Sequence, residues 1–165
     1  MSRTAIFALL CLVSTQLASS AAIPDKFFGA WTVEKSDNFD EYLSAKGVGW
    51  FVRQMIKIAS LTKIFDKKSD GSYAVENRSS KGTTKWEGIR LEHQFEGKGM
   101  DGTVHKITFS FANDILTERH IRTYEGKEID ETYRYSIEDG KLVMKLTAGN
   151  IVARRWFKSV PLPKD

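Results

Sequence analysis

Hydrophobic and polar positions follow three successive patterns along the chain. An apolar run occupies residues 6–13, a helical pattern covers residues 38–59, and short alternating stretches fill the remainder. In the middle segment the apolar residues recur three and four positions apart, as on one face of a helix, with a break at residues 47–49. We therefore predict two short helices. Each has about two to three turns and is marginal alone, so the pair needs an apolar surface to pack against.

After residue 61 the pattern is typical of β-strands. Runs of about 6 to 10 residues are separated by turn-forming pairs such as Asp70-Gly71 and Asp139-Gly140. Ten strands in meander order are predicted, at residues 30–35, 61–67, 73–79, 83–90, 92–95, 104–111, 116–124, 128–137, 142–146 and 152–158. A meander of this size avoids exposed edges by closing on itself. The sequence therefore predicts an all-β fold with a small helical lid: a ten-stranded antiparallel up-and-down β-barrel closed by a helix-turn-helix after the first strand.

The N-terminus has the layout of a secretory signal peptide. Arg3 precedes the apolar run, and small residues occupy positions 18–22. The run is too short to span a bilayer, which takes about 20 residues. We assign residues 1–21 to the signal peptide and residues 22–165 to one domain. Cleavage would remove Cys11, the one cysteine of the chain, and a domain of about 140 residues buries enough surface to fold without disulfides.

Composition and motifs argue against several classes of function. The net charge of +4 is spread along the chain, which does not indicate a nucleic-acid surface. His93, His105 and His120 lack metal-ligand spacing and are predicted to be surface residues. No glycine-rich phosphate loop precedes a helix, and no Ser, His and acid grouping has a recognisable nucleophile elbow, so we expect neither a cofactor nor an enzyme. The sequon at Asn77 lies in a predicted strand, where a glycosylating enzyme has poor access once the chain has folded.

The segment at residues 29–43 resembles the N-terminal signature of the fatty-acid-binding-protein family. It reads Gly29-Ala30-Trp31-Thr32-Val33 and then Asn38-Phe39-Asp40-Glu41-Tyr42-Leu43, which fits the family pattern of Gly, aromatic, aliphatic, and Asn-Phe-Asp-x-Tyr-Leu. The resemblance extends over the mature chain and implies a monomeric barrel that carries one lipid beneath two helices, with Trp31 in the core. The signal peptide and the longer regions at residues 66–71 and 97–102 depart from the intracellular members. In this respect the chain is similar to secreted members from nematodes, so we expect a secreted, extracellular protein.

The resemblance also implies where a fatty-acid carboxylate would bind. Family members hold it with two arginines from late strands, often with a tyrosine two residues after the second. Anchoring on residues 139–143 places Arg134 and Arg155 at these positions and Phe157 at that of the tyrosine. A guanidinium suits the role because it presents a planar, permanently charged fork to a carboxylate. Alternation within the last strand agrees with an inward Arg155, whereas alternation alone would point Arg134 outward. On the resemblance, Arg134 is expected to be the principal contact.

The helix pair is expected to act as the lid of the barrel. Phe51, Met55 and Ile58 would contact the ligand tail, and the lid would touch membrane surfaces transiently during transfer. The expected ligand is a long-chain fatty acid, with a retinoid or another anionic lipid left open because arginines recognise the carboxylate and not the chain. A structural or membrane-associated role in an extracellular lipid layer is a further alternative.

A lipocalin is the nearest structural rival. Gly29-Ala30-Trp31 also fits the Gly-x-Trp opening of that family. Lipocalins, however, lack two helices directly after the first strand and usually carry disulfides and a late helix, and the sequence offers neither of these features after its signal peptide.

Overall fold

Residues 22–163 are described by the computed structural model. The predicted signal peptide lies outside these residues. A 3-10 turn at Asp25–Phe27 leads into strand β1 (Gly29–Asp37), helix α1 (Phe39–Ala45) and helix α2 (Trp50–Ile58). Nine further strands follow: β2 (Leu61–Lys67), β3 (Tyr73–Ser79), β4 (Gly82–Ile89), β5 (Phe95–Lys98), β6 (Val104–Ala112), β7 (Ile115–Tyr124), β8 (Lys127–Glu138), β9 (Lys141–Ala148) and β10 (Ile151–Val160).

The strands form one antiparallel sheet that curls into a nearly closed barrel. Their order is β4-β3-β2-β1-β10-β9-β8-β7-β6-β5, so that β1 joins the two halves by pairing with both β2 and β10. The predicted ten-stranded barrel with a helix-turn-helix after the first strand is confirmed. Strands β4 and β5 are the two ends of the sheet and are not paired with each other. We call the gap between them the seam.

Trp86 bridges the seam with its side chain. Its indole Nε1 on β4 donates to the carbonyl oxygen of Lys98 on β5 at 3.1 Å, and its ring packs against that of Phe95 with centroids 6.3 Å apart. A Cβ on Gly97 would lie 2.7 Å from the indole Nε1, so the glycine lets the β5 backbone approach Trp86. The Trp86 side chain thus links β4 and β5 across the seam, where the two strands are not paired.

Aromatic side chains fill the part of the core next to the start of β1. Trp31 is buried and its Nε1 donates to the carbonyl oxygen of Phe27 at 2.9 Å, while Phe27 packs edge-on against Phe111 with centroids 5.6 Å apart. Trp31 therefore lies in the core, where it was expected. Satisfying the indole N–H is what allows so large a side chain to be buried there.

The two helices pack unequally on the barrel. Helix α1 begins after Asn38, whose backbone is left-handed (φ 51°) and whose Nδ2 donates to the carbonyl oxygen of Val152 at 3.3 Å. It buries Phe39, Tyr42 and Leu43. Helix α2 has no buried residue. Neither helix is long and apolar enough to cross a membrane, a statement that covers residues 22–163.

Strand β5 differs from the sequence prediction in its position. It was expected at residues 92–95 but runs over Phe95–Lys98. Glu92 has a left-handed backbone (φ 64°) and its N–H donates to the carbonyl oxygen of Phe109 at 2.8 Å. This turn ends the extended conformation, so the strand starts three residues later.

Candidate functional site

Arg155 is a buried cation that faces the interior from β10. Its side chain lies between its strand neighbours Ser36 on β1 and Met144 on β9, and the residue is 7% exposed. The guanidinium Nε donates to Ser36 Oγ at 3.1 Å, and its central carbon lies 4.1 Å from the ring centroid of Phe39 at the start of α1. Burial lowers the pKa of Arg155 to about 10, although the nearby Tyr135 acts in the opposite direction and raises it.

No carboxylate in the described part of the chain forms an ion pair with Arg155. Its hydroxyl and aromatic neighbours stabilise a cation only weakly. An unpaired buried charge is costly, so a buried guanidinium without a counter-ion suits a place that an anion can occupy.

A cavity of about 630 Å³ lies beside Arg155. It is lined by the end of β1 (residues 33–36), the start of α1 (38–41), the end of α2 and its connection to β2 (57–60), and Arg155 itself. The cavity lies where β1 pairs with β2 only up to Thr32, while its pairing with β10 continues to Asp37 through an irregularity between Val33 and Lys35. The volume is within the usual range for small-molecule sites.

A second group of charged side chains lies in the interior, and its charges are paired. Glu118 on β7 is 2% exposed; its carboxylate accepts from Tyr135 Oη at 2.6 Å, from His120 Nε2 at 2.7 Å, and lies 3.4 Å from Lys63 Nζ. Lys63 Nζ also donates to Asn77 Oδ1 at 2.6 Å. Burial by itself would raise the pKa of Glu118, but the charge of Lys63 and the bonds from His120 and Tyr135 outweigh it and lower the pKa to about 2.

This paired group, the Glu118 network, needs no ligand to satisfy it. It also encloses the sequon: Asn77 is buried and its Nδ2 donates to Thr84 Oγ1 at 3.2 Å. The amide that a glycan would modify is therefore unavailable in the folded chain.

Arg134 does not face the interior. It is exposed on β8, beside the exposed Lys145 of β9, while the neighbouring Tyr135 is fully buried opposite Leu116. The inward orientation expected from the resemblance is thus corrected. Successive side chains of a strand point to opposite faces of the sheet. Because Tyr135 is buried, Arg134 lies on the outer face.

The lid residues also differ from expectation. Phe51 is 70% exposed, and Met55 is only half-buried. Ile58, 80% exposed, lies at the rim of the cavity and is one of its lining residues. From α2, it is Ile56 that packs against the core. Phe51 and Met55 therefore do not form the inward face that was expected of α2, because the helix buries none of its residues. Phe157 is fully buried next to Arg155 on β10.

Two of the three histidines are not surface residues. His105 and His120 are buried and in contact, whereas His93 is exposed. Sequence reasoning also missed Glu118 and Lys63. The alternation of β7 does carry the signal, since Glu118 and His120 occupy the same face as the buried Leu116.

Known proteins with similar sequences span nearly the whole chain, although no family model matches it. The chain is 51% identical over 141 residues to fatty acid-binding protein homolog 4 of Caenorhabditis elegans, covering 84% of this chain and 97% of that protein. It is 47% identical over 149 residues to homolog 3 of the same nematode, covering 90% of each. Among solved structures, As-p18, an extracellular fatty acid binding protein, superposes with a TM-score of 0.80 at 38% identity, covering 85% of this chain and 100% of that one.

These relatives are binding proteins and not enzymes, which agrees with the absence of a catalytic motif in the sequence. The length of the matched segments, the identities and the barrel with its two helices lead to one conclusion: the chain belongs to the fatty-acid-binding protein family.

Proposed function

We propose that the protein is a secreted carrier that holds one long-chain fatty acid, with the carboxylate bound by Arg155. The observation that carries the proposal is the buried guanidinium without a counter-ion beside a cavity of about 630 Å³. The names of the relatives agree with a fatty-acid ligand. Burial of the alkyl chain would supply most of the affinity, at about 0.8 kcal/mol per methylene, and the guanidinium would fix the head group.

Ligand contacts around the head group follow from the same geometry. Phe39 stacks on one side of the guanidinium and Phe157 lies 5.8 Å from it, so a carboxylate would approach along the remaining donor edge. Phe157 carries no hydroxyl and cannot add a hydrogen bond, which leaves Arg155 as the main head-group donor. Ile58, at the cavity rim, would contact the emerging part of the ligand.

The test is competition of oleate against a fluorescent fatty acid on the delipidated mature protein. Charge-assisted hydrogen bonds are worth about 1.5–3 kcal/mol, so Arg155→Met should weaken oleate binding by roughly 10- to 100-fold. Arg134→Met removes the same charge from the outer face and should stay within about twofold of wild type. No saturable displacement, or equal affinities in the two variants, would contradict the proposal. Retinoic acid, which carries a carboxylate, tests the retinoid alternative in the same competition: displacement by retinoic acid but not by oleate would favour it.

Secretion is a further part of the proposal. It rests on the signal-peptide layout of residues 1–21 and on the likeness to the extracellular As-p18. Expression of the full chain in eukaryotic cells should release a protein that begins near residue 22, as N-terminal sequencing would show. Retention of an uncleaved chain in the cells would overturn it. The secreted protein should behave as a monomer in sedimentation.

Helix α2 is proposed to touch membranes during ligand transfer. It exposes an apolar surface formed by Trp50, Phe51, Val52 and Ile58. Two basic residues of the helix, Arg53 and Lys57, both lie within ion-pair distance of Asp40. The apolar side chains, more than the basic ones, would therefore drive contact. Phe51→Ser should reduce binding to phosphatidylcholine vesicles several-fold, and unchanged binding would contradict this part of the proposal.

A further inference from the structure

His105 on β6 and His120 on β7 form a buried pair whose ring nitrogens meet directly. Their Nδ1 atoms are 2.9 Å apart and the rings are perpendicular, at 89°. At the far side of each ring lies an acid. His120 Nε2 is 2.7 Å from Glu118 Oε1, and His105 Nε2 is 3.1 Å from Asp101 Oδ1 and 2.9 Å from Thr103 Oγ1. The chain of contacts runs from the β5–β6 loop to the Glu118 network.

The acids at the two ends of this row of contacts, Asp101 and Glu118, limit how many protons the two imidazoles can hold. An ionised Glu118 only accepts hydrogen bonds, so His120 Nε2 must carry a proton. Nδ1 of neutral His120 is then an acceptor, and His105 Nδ1 donates to it. One added proton fits on His105 Nε2, where Asp101 accepts it. A second added proton has only His120 Nδ1 to occupy, which would place two N–H groups against each other at 2.9 Å. The pair cannot keep its contact in that state.

The rings have little room to separate without moving the seam. A Cβ on Gly99 of the β5–β6 loop would lie 2.7 Å from His105 Cε1 and Nε2, so the backbone there is in close contact with this ring. The His120 ring lies 5.6 Å from that of Trp86, whose indole makes the hydrogen bond to Lys98 across the seam. Displacing either ring therefore moves the β5–β6 loop or Trp86.

Charged and titratable groups surround the pair on several neighbouring elements. Burial lowers the pKa of His105, Asp101 opposes this, and His120 and Arg122 add to it. Arg122 Nε lies 3.6 Å from Asp101 Oδ2, and Arg122 Nη2 lies 3.9 Å from Glu131 Oε1. Lys46 Nζ, at the end of α1, lies 2.6 Å from the same Glu131 oxygen. The groups that face the pair are Lys63 on β2, Asp101 in the β5–β6 loop, Glu118 and Arg122 on β7, and Glu131, Tyr133 and Tyr135 on β8.

We propose that the His105–His120 pair is a pH-sensitive latch of the seam. With one N–H in the contact, the pair holds the rings together and keeps Trp86 against β5. With both imidazoles protonated, the rings separate, the Trp86 bridge to Lys98 breaks, and the seam opens. A bound lipid would then leave faster. This last consequence rests on the proposed function, whereas the opening of the seam does not.

The first test is amide hydrogen exchange of the mature, delipidated protein at pH 7.5 and pH 5.0, corrected for the intrinsic pH dependence of exchange. Protection in β4, β5 and the start of β6 should fall at least tenfold more than protection in β9 and β10. His105→Asn keeps a donor at the Nδ1 position but cannot take up a proton, so it should abolish this difference. His93→Asn, at the exposed histidine, should retain it. Equal loss of protection in all strands, or an unchanged response in His105→Asn, would overturn the latch.

A second measurement needs no variant and covers the case in which His105→Asn does not fold. In an NMR titration of the wild-type histidine ring protons, the pair should take up its two added protons in separate steps, because two protons cannot occupy the Nδ1–Nδ1 contact together. If the pair takes up both added protons in a single step, the latch is wrong.

Stopped-flow release of a fluorescent fatty acid separates the two proposals. Release at pH 5.0 should be at least fivefold faster than at pH 7.5 in wild type, and unchanged between the two in His105→Asn. If no fatty acid binds at pH 7.5, the proposed function fails and hydrogen exchange alone decides the latch. If the seam opens but the release rate stays constant, the effect on the ligand is refuted.

Discussion

Glu118→Gln should destabilise the barrel strongly, because it removes a buried charge while keeping the size of the side chain. The carboxylate lies 3.4 Å from the buried Lys63 ammonium and accepts from Tyr135 at 2.6 Å and His120 at 2.7 Å. An amide can replace one acceptor, but it leaves Lys63 without a counter-charge. Removing one partner of a buried ion pair typically costs about 3–5 kcal/mol.

The lowered pKa of Glu118 reflects the same contacts and points in the same direction. A fall from 4.5 to about 2 corresponds to roughly 3 kcal/mol, at about 1.4 kcal/mol per pH unit. Because the pKa is lower in the folded than in the unfolded chain, this stability is present above about pH 4.5. It is lost as the pH falls towards 2. At neutral pH we therefore expect Glu118→Gln to lose about 3–4 kcal/mol, or roughly 10 °C in melting temperature.

Urea unfolding at pH 7.5, followed by tryptophan fluorescence, measures this loss. Glu128→Gln makes the same chemical change at an exposed position and should stay within about 0.5 kcal/mol of wild type. Adding Lys63→Met to Glu118→Gln removes the stranded cation and should recover about 2 kcal/mol. A loss below about 1 kcal/mol in Glu118→Gln, or no recovery in the double variant, would refute the reasoning.

Three further predictions concern the seam and its surroundings. Gly99→Ala places a Cβ 2.7 Å from the His105 ring and should cost about 1–3 kcal/mol in urea unfolding, whereas Gly49→Ala, which has open space, should cost less than about 1 kcal/mol. Trp86→Phe loses the 3.1 Å bond to Lys98 and should cost about 1 kcal/mol beyond its change in size; equal exchange of the β5 amides in both proteins would contradict a bridging role. Burial lowers the pKa of His105 in the fold, so stability should fall as the pH drops below about 6.5. His105→Asn should flatten that profile in thermal unfolding, and an identical profile would exclude His105 as its source.

Local patterns were enough to predict the strands and helices. Turns such as Asp139-Gly140, where both residues have a left-handed backbone, are encoded by residue types that tolerate positive φ, and alternation defines the strands between them. The start of strand β5 was predicted wrongly because it depends on the left-handed backbone of Glu92. Glutamate is not a residue type that indicates such a turn.

The candidate site was only partly predictable because it depends on pairing across strands. Alternation alone predicted the observed face of both Arg134 and Arg155. The prediction that Arg134 faces inward was wrong because it rested on the spacing of the arginines in the family. Contact between His105 and His120 requires the register of β6 with β7, in which His120 lies opposite Ile107, two residues from His105. Nothing local in the sequence specifies that register, although both histidines share an alternating set with fully buried apolar residues.

The two charged groups of the interior differ in a way that decides where an anionic ligand binds. A carboxylate that approached Lys63 would have to compete with Glu118, and success would leave Glu118 buried without its cation. A carboxylate at Arg155 displaces no ion pair within the described residues, since the guanidinium donates to a hydroxyl and lies against two aromatic rings. The desolvation of Arg155 has already been offset by folding, so an arriving anion gains charge-assisted hydrogen bonds at little further cost to the protein. The head group should therefore select Arg155, while the Glu118 network keeps its charges paired and serves the barrel itself.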